Sequence, residues 1–265
     1  MINEYSAANY TDVVDNYGEY EDWIELYNAG VASVDLSGYY LSDREDEPTK
    51  YSIPAGVTIT AGGFVRFWCS SRNLFAGTNY HTNFKLTQTT GAEAVVFADA
   101  TGTIIDIQQL DNPNQTDHSW GRMPNGGDDW RIYTSPTPNA SNTGTVKIAY
   151  ADKPDMEPNA GNYAGSVTVT IAVSEPNMTI RYSLDGSFPT AAAAVYTGAI
   201  TIDETTVLRT VAYPTSSDTF PSLCSTNTYF IDETTQVPII SLAGEQIDDL
   251  LNGGGCGFVP VGSFE

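Results

Sequence analysis

Short runs rich in Thr, Val, Tyr and Ile, each cut off by Gly, Pro, Asn or Asp, repeat along most of this chain. Such runs suit pleated strands and their breakers suit tight turns, so helices are disfavoured. Asp22-Trp23-Ile24-Glu25-Leu26-Tyr27-Asn28 alternates polar and apolar residues, the period-two mark of a half-buried strand. Trp23 and Glu25 fall on one face of it, Ile24 and Leu26 on the other. Val167-Thr168-Val169-Thr170-Ile171 alternates in the same way. Many strands at roughly ten-residue spacing predict an all-β sandwich or barrel.

The pattern falls into blocks. Residues 1–142 hold strands at Ile2–Tyr5, Asp22–Asn28, Gly38–Ser42, Tyr51–Ile53, Phe64–Cys69, Ser119–Arg122 and Trp130–Tyr133. Ala94–Phe97 and Thr103–Asp106 read as a hairpin across Asp99-Ala100-Thr101-Gly102. Residues 143–162 read as a linker and first-strand region, with Asp152–Gly161 a linker or long loop because of its Pro, Gly, Asn and acid content. Residues 163–231 resume the β pattern, with five or more strands in a length that suits a compact Ig-like sandwich. Residues 232–265 differ: Val237–Leu242 reads as a strand, Gln246–Leu251 as a helical turn, and a Gly-rich stretch follows. This last piece cannot bury a core alone and reads as the start of a further module.

Charge excludes several functions. There are 33 acidic and 11 basic residues, a net charge of −22. That surface repels nucleic-acid phosphates and anionic lipid, so neither nucleic acid nor a membrane surface is an expected partner. No apolar stretch reaches the roughly 18 residues of a membrane span. Met1 runs straight into a strand, and the expectation is that any export signal was removed ahead of it. Of the three cysteines, Cys69 sits in an apolar run and reads as a buried thiol, while Cys224 and Cys256 could pair.

No reactive constellation emerges. The two histidines, His81 and His118, read as loop-holding residues. No GxSxG elbow, HExxH pair or Walker loop occurs. With 33 acids, carboxylate pairs arise by number alone and carry no signal for glycoside hydrolysis. Asp43, Glu45, Asp46 and Glu47 form the best local candidate for Ca²⁺, but their spacing is not that of an EF-hand loop. Asp15, Glu19, Glu21 and Asp22 form a second acidic group; both groups read first as solvated loops. Trp120, Trp130, Tyr39 or Tyr40 could stack on sugar rings, with core packing the simpler role. Asp185-Gly186 reads as a hairpin turn. No catalytic, cofactor-binding or metal-ligating residue is assigned.

The first block resembles bacterial lamin-tail domains. Ile2-Asn3-Glu4, Glu21–Asn28, Asp35–Asp43, Ile53-Pro54-Ala55-Gly56, Ala61-Gly62-Gly63-Phe64, His81–Leu86, Ser119-Trp120-Gly121-Arg122, Trp130 and Ser135–Asn142 carry the likeness in order. The resemblance implies an Ig-like β-sandwich. The second block resembles the Ig-like domain at the carboxyl end of chitobiases and hexosaminidases, through Ile180–Thr190 and Val195–Ile200. That likeness touches an accessory module of those enzymes, not their catalytic barrel. Val237–Leu242 is similar to the start of CotH kinase-like domains.

The expectation is therefore an all-β chain of two Ig-like β-sandwich domains in tandem, and no enzyme. Its expected role is an extracellular or cell-surface interaction or spacer region of a larger exported bacterial protein, meeting a protein or glycan there. The alternatives are a carbohydrate-binding appendage of a secreted enzyme, or a regulatory front end of a CotH-like kinase. Chromatin binding, suggested by eukaryotic lamin-tail relatives, is opposed by the charge.

Overall fold

The computed structural model describes residues 1–87, 93–111, 114–216, 218–234, 241–245 and 261–264. Its regular structure is entirely strand among those residues, and it divides into two units, Met1–Ile148 and Ala149–Glu265.

The first unit is an Ig-like sandwich of an eight-stranded and a four-stranded sheet. The larger sheet runs, edge to edge, Val146–Lys147, Trp130–Tyr133, Ser119–Arg122, Ile2–Ser6, Asp22–Tyr27, Phe64–Cys69, Asn79–His81 and Leu74–Ala76. The smaller runs Ile104–Gln109, Ala94–Ala98, Tyr40–Ser42 and Tyr51–Ser52. Tyr51 of the small sheet meets Phe67 of the large one edge-on, with ring centroids 6.4 Å apart. Ile24, Leu26, Leu41, Val96 and Phe67 are wholly buried. The expected hairpin is present: Asp99 accepts the N–H groups of Thr101 and Thr103 and so closes the turn between its strands.

One expectation is overturned here. Asp22–Tyr27 is not half-buried: Trp23, Ile24, Glu25 and Leu26 are all fully covered. The polar residue of the alternating pattern is inside as well, because the segment after Tyr133 crosses its face and donates a backbone N–H to Glu25. Period-two alternation reports two faces, not which of them is wet.

The second unit pairs a three-stranded sheet (Asp155–Glu157, Val167–Ala172, Ile200–Ile202) with a five-stranded one (Gly161–Tyr163, Ser225–Ile231, Thr206–Pro214, Met178–Ser183, Ala194–Val195). Val167, Val169 and Ile171 point inward and Thr168, Thr170 and Ala172 outward, as the alternation predicts. The inward side chains meet Met156, Ile202, Leu208, Tyr229 and Ile231 in one core. Residues 152–161, read as linker or loop, carry the strand Asp155–Glu157 and the start of Gly161–Tyr163. Met156 supplies the apolar anchor that composition hides, and it is buried opposite Ile171. Val237–Ile240, Gln246–Leu251 and Cys256 lie outside the described residues; Leu242–Glu245 pairs with Val261–Phe264.

Leu208 is fully enclosed, and removing its side chain costs both transfer energy and a cavity. Leu208→Ala should destabilise the second unit by about 2–5 kcal/mol, read as a lower midpoint of its transition in calorimetry.

Candidate functional site

The most concentrated polar chemistry of the first unit lies inside it. Ile2–Ser6 and Asp22–Tyr27 run antiparallel with Glu4 directly opposite Glu25. Both glutamates and Asn3 have no exposed surface. Buried carboxylates need hydrogen-bond donors, and these have them. Glu4 accepts from the Ser119 hydroxyl at 2.5 Å and from the N–H and hydroxyl of Thr137 at 3.0 Å each. Glu25 accepts from the Asn3 amide at 3.0 Å and from the Asn139 N–H at 2.5 Å. Asn142 completes the group, accepting from Asn3 and donating to the carbonyls of Asn3 and Arg122.

Gly121 makes room for this cluster. A Cβ there would lie 2.6 Å from the Asn142 amide nitrogen, 3.0 Å from the Tyr133 ring and 3.2 Å from Glu4 Cγ. Beside it Arg122 pairs with Asp106 at 3.0 Å and donates to the carbonyls of Ile2 and Gly127. Four motifs far apart in sequence therefore meet at one place: Ile2-Asn3-Glu4, Glu25, Ser119–Arg122 and Thr137–Asn142. Their spacing along the chain gives no sign that they converge. The available signal was acid and amide residues set inside otherwise buried strands.

Burial pushes Glu25 up to about 8, with Glu4 adding to the rise and the Asn3 and Asn139 hydrogen bonds and Arg66 opposing it. Burial also raises Glu4, against its bonds from Ser119 and Thr137. It pushes Asp22, half-buried at the end of the same strand, up to about 7. Arg66 stands opposite Glu25 on the next strand, but its guanidinium lies 3.8 Å over the Trp68 ring.

The other candidates are placed as follows. His81 is fully buried, with Nδ1 2.9 Å from the Ser70 hydroxyl and Nε2 2.8 Å from Asn16 Oδ1. Asn16 Oδ1 can only accept, so Nε2 carries the hydrogen and Nδ1 accepts from Ser70. The distance suits a nucleophile and its base, but both residues are inside and an amide, not a carboxylate, orients the ring. The triad ties the 9–21 loop to the strand Asn79–His81. The His118 carbonyl accepts from Ser6 and Asn114.

Asp15, Glu19 and Glu21 gather round Arg72 at 3.7, 2.5 and 3.1 Å, and Lys85 also reaches Glu21. Asp43 takes Lys50, Asp46 takes Arg44, and Glu45 accepts from Gln109. Those loop acids are thus spread over separate partners. Among the described residues no three His, Cys, Asp or Glu side chains are placed to hold a metal ion. Trp120 is buried, and Trp130 packs on Tyr5 with Arg122 over its ring. Tyr39 stacks on Phe97 beside an apolar pocket of about 210 Å³ lined by Leu26, Tyr27, Leu36 and Ile59.

In the second unit Asp185-Gly186 is not a two-residue hairpin turn. It lies in the longer loop between Met178–Ser183 and Ala194–Val195. Asp185 accepts from the Ser187 N–H and hydroxyl, and Gly186 has φ +76°. Arg209, buried in the strand behind, donates to the Gly186 carbonyl at 3.1 Å and lies 5.7 Å from the Phe188 ring. Cys69 and Cys224 are free thiols, and burial pushes Cys69 well up.

Fold and sites together define a class: tandem Ig-like β-sandwich modules whose constrained polar residues brace backbone. Residues 1–111 match the model of the Lamin Tail Domain, and residues 158–220 match that of the Chitobiase/beta-hexosaminidase C-terminal domain. Each match covers less than half of the chain, and together they support a lamin-tail-like stretch followed by one similar to the chitobiase/hexosaminidase C-terminal domain. Both matched families are Ig-like, non-catalytic types, and they suggest a non-catalytic or carbohydrate-associated module over the residues matched. Comparison with curated proteins and with solved structures returned no match.

Two outcomes follow from the cluster. Gly121→Ala should destabilise the first unit by about 1–3 kcal/mol in urea, since the atoms it would strike are themselves enclosed. The raised carboxyls of Glu4, Asp22 and Glu25 hold protons in the folded state that the unfolded chain releases. Their stabilisation is complete below the ordinary carboxylate range and is lost as pH rises through about 7 for Asp22 and about 8 for Glu25. Urea midpoints of the first unit should therefore fall from about pH 5 to about pH 8 and level off above it, at about 1.4 kcal/mol per pH unit for each proton held. A midpoint that stays flat over that range would show the acids to be ionised throughout.

Proposed function

We propose that the chain is an interaction and spacer region of an exported bacterial protein, acting outside the cell or at its surface and leading into a CotH-like module from about residue 232. The observation that carries this reading is how the constrained polar residues are spent. Glu4, Glu25, Asn142 and Arg209 each hold a backbone segment in place. The outer surface carries a large negative charge, which favours solubility and long-range repulsion between copies. Protease shaving of intact producing cells tests the location. The full protein should be cut from the surface while a cytoplasmic marker survives; protection equal to the marker's would sink the proposal.

A second reading, a carbohydrate-binding appendage, is favoured by one observation: the Tyr39–Phe97 stack beside its apolar pocket, where a flat ring and a hollow could take a sugar face. Affinity electrophoresis in gels holding soluble polysaccharides separates the two. The spacer reading expects no retardation by any of them. Retardation that Tyr39→Ala abolishes would establish the appendage.

A further inference from the structure

We propose that Glu4 and Glu25 form a proton-gated clasp on the closing segment 136–142, docked while the pair holds a proton and released when that proton leaves.

The clasp stands on geometry. Directly opposed residues of an antiparallel pair bring their Cβ atoms to roughly 5 Å, and Glu4 and Glu25 occupy such a pair with no exposed surface. Two ionised carboxylates so placed, away from water, repel strongly, so the pair retains a proton through neutral pH. The charged and titratable groups around it do not supply the missing balance. Arg66 faces Glu25 from the next strand but is held over Trp68, and Asp15 faces Arg66 in turn. Asp12, from the 9–21 loop, adds negative charge toward Glu4. Burial, with Glu4 adding to it, raises the phenol of Tyr133, from the strand beyond Ser119–Arg122, so it supplies no charge there.

What the pair grips is the chain itself. The Thr137 and Asn139 N–H groups have carboxylates as their acceptors rather than a neighbouring strand. Asn139 holds φ +63°, which no strand ladder would accommodate. Beyond Asn142 the chain makes a short pairing, with Val146 and Lys147 opposite Tyr133 and Ile132 at the sheet edge. A second negative charge in the pair is best relieved by admitting water, and the segment is the lid that must lift to admit it. Its release frees the stretch between Tyr133 and the edge pairing of Val146 and Lys147. This inference needs nothing from the proposed location or ligand.

Native-state hydrogen exchange on the full chain tests it, with rates corrected for their intrinsic pH dependence. Protection of the Thr137 and Asn139 amides should fall by up to tenfold per pH unit from about pH 5 to the pair's titration and level off above it, staying throughout below that of Ile24 and Phe67, which exchange only when the whole unit opens. Glu25→Gln should hold the segment's protection level across the same range. Flat protection in the unaltered chain, or an equal fall in the variant, would overturn the clasp. If Glu25→Gln does not fold, the unaltered chain labelled with carboxyl-¹³C glutamate decides the matter. A buried glutamate titrating above pH 6, with the same midpoint as the Thr137 and Asn139 amide shifts, supports the proposal; none titrating there refutes it.

Discussion

A carboxylate taken out of water must find donors or a proton, and the first unit is arranged round two that do. Glu4 and Glu25 face each other from adjacent strands with no exposed surface. Neither the sheet's own ladder nor an ion pair satisfies them. The donors come from outside the two strands: Ser119, Asn3 and the segment that ends the unit. Breaking such a group by removing one partner leaves a buried charge or donor uncompensated, which costs more than the hydrogen bond contributes. First strand, second strand and closing segment are therefore bound to one another in a way that apolar packing alone would not enforce. Apolar cores tolerate repacking; a buried polar cluster held by specific hydrogen bonds tolerates far less.

The second unit solves a similar problem with the opposite charge and on a smaller scale. Its core is apolar, from Met156 through Val169 to Leu208. One ionic group, Arg209, is buried beside it; its Nη1 donates to the Gly186 carbonyl and its guanidinium lies 5.7 Å from the Phe188 ring. The Asp-Gly-Ser turn is thereby pinned from beneath by a guanidinium and closed from above by the Asp185 carboxylate on Ser187. In both units the least replaceable polar residue secures an irregular segment rather than a strand, because irregular backbone has no ladder to satisfy it.

Much of this architecture was legible in the sequence, and the failures share a cause. Val167–Ile171 alternates and one face is buried, as read, because its neighbours on the outer side are threonines with nothing to cover them. Asp22–Asn28 alternates too, yet both faces are covered, since a segment more than a hundred residues later crosses it. Local pattern states periodicity and says nothing of what distant chain arrives. The same blindness hid the strand at Asp155–Glu157, where a single Met156 outweighs a Pro- and acid-rich context once Ile171 stands opposite it. It also hid how long the hairpin connection holding Asp185-Gly186 is, and that Arg209 in another strand holds its carbonyl.

The candidate site was legible in its parts and not as a whole. Ser119-Trp120-Gly121-Arg122 can be singled out as a motif, but no local rule says why its third residue is glycine. The reason is three atoms from three other segments: Asn142, Tyr133 and Glu4 all lie within 3.2 Å of where a Cβ would stand. An acidic residue inside a strand ordinarily marks a solvent face. Here Glu4 and Glu25 mark the opposite, and the clue lies in their donors: asparagines and threonines that composition alone assigns to loops. A chain with 33 acids conceals the two that matter, because abundance on the surface masks the pair that folding withdraws from it. Once withdrawn, that pair couples the integrity of the unit's exit to the proton, a dependence that no surface carboxylate, screened by water and salt, could impose.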